Sequence, residues 1–231
     1  MRTENNAASR AGIARGIAPN PAVLPLLAAL ALLPSRGNAD WTFTVSSGSA
    51  YSLYTPIVIH QSGRPDIRIN GRCWTEPFAD VPYYDLRLSQ DFAGSRWEVE
   101  LIHHKLYLQN RPPEVQRFQV THGFNFITVN HCWSWRGFDL RAGTGMILAH
   151  PETMIRDQAF PENAGAFGLG FYPSGVGGQV GLDRRFRLNQ RFDVVAEGKF
   201  TGAIARIPIA DGTADVSNLA LHGLLGVMYR F

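Results

Sequence analysis

The chain has 231 residues, of which 45% are hydrophobic, and a formal net charge of +3. Its length suits one domain of ordinary size. The excess of positive charge lies in the first 39 residues, and the remainder carries 18 basic and 18 acidic side chains. Because a balanced chain without a Lys/Arg run lacks the electrostatic footprint of a nucleic-acid-binding protein, we expect no nucleic acid as a partner.

Residues 1–39 have the pattern of a signal peptide. Basic residues precede an apolar run of eleven residues from Val23 to Leu33, and small residues precede Asp40, where we predict cleavage. Eleven residues are too few to cross a hydrocarbon core as a helix, which needs about 20. The sequence therefore predicts an exported protein whose mature domain is residues 40–231.

The mature domain alternates apolar and polar residues with the period of two that is typical of β-strands. The clearest alternation runs to the end of the chain at Phe231. Counting back from there, we predict a first strand from Trp41 and further strands near residues 82–92, 95–108, 117–130, 136–148, 177–188, 191–205 and 218–231. Eight strands are an even number, which lets a sheet close into a barrel without a free edge.

The alternation fits two architectures. In a soluble sandwich the apolar side faces inward, whereas in a lipid-embedded barrel it faces the acyl chains and charged residues fill the lumen. The signal peptide and the aromatic strand ends favour the barrel, and the last strand, ending on Phe231, resembles the insertion signal read by the barrel assembly machinery. We predict an all-β, antiparallel, up-and-down transmembrane β-barrel of about eight strands, located in the outer membrane.

Segments rich in Pro and Gly are the predicted outer loops. Three of them are 109–116, 149–175 and 206–216. The fourth and longest, residues 51–81, can form an extra hairpin of Ile57–His60 against Ile67–Asn70.

The two cysteines are Cys73 and Cys132. Export permits a disulfide bond between them, because disulfides persist in oxidising compartments. Two cysteines do not make a disulfide scaffold, so two unpaired thiols are an equal alternative, and the sequence leaves both open.

Residues 82–130 are specific enough to predict a register. A two-residue turn at Ala93-Gly94 would pair Leu88 with Val99 and place every charge of this hairpin on one side. Pairing Leu108 with Arg117 in the next hairpin extends the same polar face. The resulting lumen layer contains Asp85, Arg87, Glu98, Glu100 and Asn125. We interpret it as structural, because buried charges must be paired, with a catalytic role as the alternative.

Four polar residues fall instead on the lipid-facing side, near the extracellular strand ends. These candidate catalytic residues are His103, His122, Lys105 and Tyr84. Two neutral imidazoles, His103 and His122, can bind a divalent metal ion, and Lys105 can meet a lipid phosphate. The alternative is an interfacial belt of amphipathic residues without chemistry.

Three motifs lie close together between residues 82 and 130. They are Pro82-Tyr83-Tyr84, Glu100 followed by His103-x-Lys105-x-Tyr107, and Gly123-Phe124-Asn125-Phe126-Ile127-Thr128-Val129-Asn130. This stretch is similar to small outer-membrane proteins of the lipid A oxidase-like family. The resemblance implies oxygen-dependent oxidation of the proximal glucosamine of lipid A, with lipopolysaccharide as the partner and a divalent metal ion as the cofactor.

We therefore expect a barrel that acts on lipid A in the outer leaflet. The alternative is a non-enzymatic barrel that binds ligands, adheres or supports the membrane, since the long outer segments are where recognition is usually found. A pore is a third function, but eight strands fill their lumen with side chains, so we expect negligible conductance.

Overall fold

The computed structural model describes residues 41–78, 81–92, 95–161, 165 and 168–231. The predicted signal peptide, its cleavage site and the Ala93-Gly94 turn lie outside these residues. Among the residues that are described, no helix is long and apolar enough to cross a membrane.

The described chain is a single antiparallel sheet of thirteen strands. Their bounds are β1 Trp41–Ser52, β2 Thr55–Gln61, β3 Ile67–Gly71, β4 Cys73–Trp74, β5 Tyr84–Phe92, β6 Ser95–His103, β7 Leu106–Leu108, β8 Val115–Trp135, β9 Phe138–Ile155, β10 Gln158–Ala159, β11 Tyr172–Arg187, β12 Phe192–Ile209 and β13 Gly212–Arg230. The wall strands are β1, β5, β6, β8, β9, β11, β12 and β13. Each pairs with the next along the chain, and β13 pairs with β1, so the eight-stranded barrel is closed and the predicted fold class is confirmed.

The barrel wall is strongly staggered. The stagger can be measured by moving from each residue to its partner on the next strand. Starting at Ser217 on β13, one circuit of the barrel ends on β13 at Val227, ten residues further along. A closed barrel with such an offset needs tilted strands. Residues at one height therefore lie at different distances from the strand ends.

The exterior of the barrel carries an apolar band. Along β13 the outward residues from Tyr229 up to Leu219 are apolar or glycine, and Leu225 is 64% exposed. Other members of the band are Val45, Val99, Val129, Val176, Val180, Phe186, Ile204, Leu221 and Val227. Exposed apolar side chains around a polar lumen are the arrangement of a barrel whose outside meets lipid.

The polarity inverts at the end of the barrel that lies away from Trp41 and Phe231, which we call the distal end. On β12 the inward residues from Glu197 to Thr201 are charged or polar, and those from Ala203 onward are apolar. The outward face changes in the opposite sense, from Ile204 to Arg206. The distal end therefore has an apolar core and a polar surface, and the change of polarity marks the upper boundary of the apolar band.

This distal extension replaces much of what the sequence predicts as loops. The predicted β2–β3 hairpin is confirmed, with Ile57 opposite Ile69. The predicted loop 206–216 is wrong, because β12 and β13 continue upward and meet at a tight turn with Asp211 in the left-handed region, φ 58°. The predicted loop 149–175 begins too early, since β9 continues to Ile155.

The surface of the extension is polar and ion-paired. Arg206 donates hydrogen bonds of 2.6 and 3.0 Å to the Asp215 carboxylate, and these hold the pKa of Asp215 below its usual range. His60 donates to Asp66 over 2.8 Å on the neighbouring β2–β3 hairpin. Such groups fit an aqueous surface and not a lipid-facing one.

The register of the first predicted hairpin is confirmed, with Leu88 opposite Val99 and Tyr84 opposite His103. The second predicted register is wrong by three residues, since Leu101 pairs with Ile127 and not with Phe124. One residue of the error is already present in β7, where Tyr107 pairs with Gln119 and not with Phe118. A bulge adds the other two, because between Val120 and Phe124 strand β8 places three residues opposite one residue of β9.

Both cysteines are free and buried. Cys73 pairs with Leu108 in the distal extension, whereas Cys132 pairs with Arg96 near the opposite end of the wall. The sequence leaves open a disulfide bond or two unpaired thiols, and in the structure the two thiols are unpaired.

We expect Cys73 to react slowly with thiol reagents in the folded barrel. Burial raises the pKa of this thiol to about 12, and the thiolate is the reactive form. In a Cys132→Ser variant at pH 7.5, maleimide labelling should be at least about tenfold slower than at a cysteine in place of the exposed Ser62. Mass spectrometry over time measures both rates, and equal rates would contradict the burial of Cys73.

Candidate functional site

Two polar clusters are candidates, one inside the barrel and one on its outer wall. Inside, Arg141 on β9 is fully buried and donates to Glu98 over 2.9 Å and to Glu197 and Asp183. Arg87 donates to Glu197 over 3.0 Å. Every carboxylate in this set therefore has a cationic partner from a different strand.

Lys199 on β12 forms the second centre of the lumen network. Its ammonium group donates to Asp85 over 2.6 Å and to Glu100, and it lies 3.1 Å from Glu197. Asn130 donates to Glu100 over 2.6 Å. These paired, buried charges come from several strands, fill the lumen and connect the strands to one another. This arrangement supports the structural interpretation of these residues.

Asn125 does not belong to this layer, contrary to the prediction. The observed register of β8 differs from the predicted one by three residues, an odd number that exchanges the two faces, so Glu100 pairs with Thr128 and contacts Asn130. Asn125 lies instead on the outward side and accepts a hydrogen bond from His103.

A histidine pair that the sequence analysis missed lies above the lumen network. His222 shares hydrogen bonds of 2.8 Å with the Tyr83 hydroxyl and the Thr201 hydroxyl, and its ring is 5.2 Å from that of His104. Both imidazoles are buried. His222 lies at an inward-facing position in the alternation of the last strand, and this position could have identified it from the sequence.

The outer-wall cluster forms where two neighbouring strands are irregular. On β8 the bulge needs Gly123 at φ 116°, where an added Cβ would lie 2.0 Å from the Asn125 side chain. The chain between β6 and β7 is also out of the regular ladder, and Phe124 N donates to His104 O over 2.6 Å. These breaks turn polar side chains onto the outer wall.

Tyr84, His103 and Asn125 form one part of this cluster. The Tyr84 and His103 rings are stacked with centroids 4.7 Å apart, and His103 Nδ1 donates to Asn125 Oδ1 over 2.8 Å. His103 is 2% exposed. Because Nδ1 carries the proton, Nε2 of the neutral ring is left as the acceptor.

His122, His150 and Glu152 form the other part. His122 Nδ1 is 3.3 Å from Glu152 Oε1, and the two imidazole rings have centroids 4.6 Å apart. Asn125 joins the two parts by donating to His122 O over 3.2 Å. We call the whole group the interface cluster, and its members are Tyr84, His103, Lys105, His122, Asn125, His150 and Glu152.

The interface cluster lies at the upper boundary of the apolar band. On β9 the outward residues are apolar at Met146 and Leu148 and polar at His150 and Glu152. This is the same change that occurs on β12 between Ile204 and Arg206. Lys105, between β6 and β7, is fully buried with its ammonium nitrogen 5.6 Å from the centre of the Tyr107 ring.

Of the four candidate catalytic residues, Tyr84, His103 and His122 lie on the outer wall, but in a different grouping from the predicted one. Tyr84 and His103 are in direct contact, while His122 joins two residues that the sequence analysis did not select. His150 and Glu152 were missed because strand β9 was predicted to end at residue 148. The next two outward positions in the alternation of β9 are His150 and Glu152, so a longer predicted strand would have included both.

A divalent metal ion fits this grouping better than the predicted pair of His103 and His122. Each of His122, His150 and Glu152 offers one donor atom, and these atoms lie within 4.8 Å of one another. His103 uses Nδ1 on Asn125. Imidazole nitrogen and carboxylate oxygen are ordinary ligands of divalent transition metals.

No protein-family model matches the chain, and neither does any curated protein. Solved structures that resemble it include Neisserial surface protein A, with 10% identity, a TM-score of 0.43 and coverage of 84% of this chain and 100% of that chain. Ail of Yersinia pestis has 12% identity, a TM-score of 0.39 and the same coverage. The outer membrane protein AlkL has 9% identity and a TM-score of 0.44, and the match covers 86% of this chain and 95% of that chain.

Proposed function

We propose that this barrel lies in the outer membrane and modifies lipid A in the outer leaflet. The observation that carries the proposal is the interface cluster. Ionisable side chains such as His103 and His150 are buried on the outward side of the wall, where a barrel normally has apolar residues. Polar groups in that position are costly unless a polar ligand or their own hydrogen bonds satisfy them.

The height of the cluster suits a lipid headgroup. Acyl chains would meet the apolar band below it, and the sugar and phosphate groups of lipid A would lie beside His103 and Lys105. The positive charge of the fully buried Lys105 can attract a phosphate at a distance, whereas the side chain that a headgroup would touch is the exposed His122. His103 is held by Asn125 and stacked on Tyr84, and its Nε2 is buried without a hydrogen-bond partner. Once neighbouring side chains move aside, Nε2 can accept the proton of a sugar hydroxyl, while O₂ is the oxidant that takes up the two electrons and two protons of the oxidation.

The test is mass spectrometry of lipid A from cells with and without the protein. We expect a changed mass that disappears in a His103→Ala variant. The matched control is His131→Ala, because His131 lies on the neighbouring strand β8, opposite Trp97, and packs against Trp97 and Trp133 away from the cluster. Heat-modifiable migration on gels would show that both variants fold. Identical lipid A with and without the protein would rule out the proposed activity.

A ligand-binding barrel is the second candidate. One observation favours it: a groove in the distal extension has charged and polar lining residues from the β2–β3 hairpin, the turn before β8 and the β9–β10 turn. They include Asp66, Arg68, Asn110, Arg111 and Arg156. If lipid A is unchanged, binding to a polyanion that is lost in an Arg68→Ala, Arg111→Ala double variant would support this function.

A further inference from the structure

His122, His150 and Glu152 converge from two strands. His150 and Glu152 are two residues apart on β9, so both side chains face outward from the same strand. His122 lies in the bulge of β8, opposite His150. Their donor atoms lie within 4.8 Å of one another, so small side-chain adjustments bring all three to one ion.

The three side chains are held in place by their neighbours. The Thr121 hydroxyl donates to Glu152 Oε1, and the Gln119 amide donates to Glu152 Oε2 over 3.5 Å. The His150 ring packs against Phe171, with centroids 5.2 Å apart, as well as against His122. Hydrogen bonds that orient a ligating carboxylate are typical around metal ligands.

The group is closed on one side and open on the other. The His150 residue is 7% exposed and the Glu152 side chain 13%, whereas the His122 side chain is 52% exposed. An ion held here would have protein behind it and free coordination positions in front. Those positions would face the outside at the boundary of the apolar band.

We propose that His122, His150 and Glu152 bind one divalent transition-metal ion at the outer wall. Two imidazoles and one carboxylate are the ligand set of open zinc sites and of non-haem iron(II) sites, which keep positions for water or substrate. The alternative is a hydrogen-bonded cluster without an ion. The inference stands on the ligand geometry and does not require the barrel to act on lipid A.

The test is a titration of the purified full-length barrel, refolded in detergent, with Co²⁺. We expect one Co²⁺ per chain with visible absorption bands that Zn²⁺ displaces. Losing one of three ligands should weaken Co²⁺ binding strongly, at least about tenfold for His150→Ala and for Glu152→Gln. His60→Ala is the matched control, because His60 also lies beside carboxylates, and it should bind Co²⁺ as the unaltered protein does.

Two results would overturn the metal site. One is the absence of stoichiometric Co²⁺ binding to the folded barrel. The other is unchanged affinity in a folded His150→Ala, Glu152→Gln double variant, with folding checked by heat-modifiable migration. Metal binding with unchanged lipid A would leave this inference standing and remove the lipid A proposal. Changed lipid A without metal binding would do the reverse.

Discussion

Replacing Arg141 with leucine should destabilise the barrel by about 3–5 kcal/mol, the usual cost of removing one partner of a buried charge network. Arg141 is the shared partner of Glu98, Asp183 and Glu197, all buried in the lumen. Without the guanidinium group, negative charges from three strands would face one another with less compensation. Urea unfolding in lipid vesicles, followed by tryptophan fluorescence, measures the change.

The control for this experiment is Arg184→Leu. Arg184 lies on the outer side of β11, where it contacts the rings of Phe138 and Phe186. Its loss should cost less than about 1 kcal/mol, the range of an exposed cation–π contact. If both variants lost equal stability, Arg141 would not be the centre of the lumen network.

A second comparison locates the boundary of the apolar band. Leu225→Arg should cost about 2–4 kcal/mol, because it places a charge on the lipid-facing side of β13. Thr213→Arg lies on the same face of the same strand but in the distal extension, where its cost should be about 0–1 kcal/mol. Equilibrium folding into vesicles measures both free energies.

This pair of variants also tests the membrane assignment itself. In a water-soluble barrel both arginines would face solvent, and neither would change stability much. A similar small effect at Leu225 and Thr213 would therefore contradict a lipid-facing band. A large effect at Leu225 alone supports a boundary between Ser217 and Leu219, where the outward residues of β13 change from polar to apolar.

Local alternation in the sequence was enough to predict most of the wall. The β5–β6 hairpin was predicted in its correct register, because a one-residue slip would have mixed charges into the apolar face. The β2–β3 hairpin was predicted for a similar reason, from two short apolar runs separated by turn residues.

The distal extension was not predicted from the same alternation. The residues from Ala203 to Val216 still alternate, but the apolar positions now face inward and the polar ones outward. A pattern with period two says which residues share a face and does not say which face meets lipid. The segment 206–216 was predicted to be a loop because it contains Pro208 and Gly212, although its alternation continues through both residues.

The sequence by itself determined the strand pattern, the first register and the polar residues His103, Lys105 and His122 as candidates for the outer wall. Only the tertiary structure decided which of them meet. The register of β8, three residues from the predicted one, places Asn125 outside the lumen, and the bulge at residues 121–123 brings His122 to His150 and Glu152. A bulge depends on one local backbone conformation, here at Gly123, and on pairing across three strands, so alternation along one strand does not reveal it.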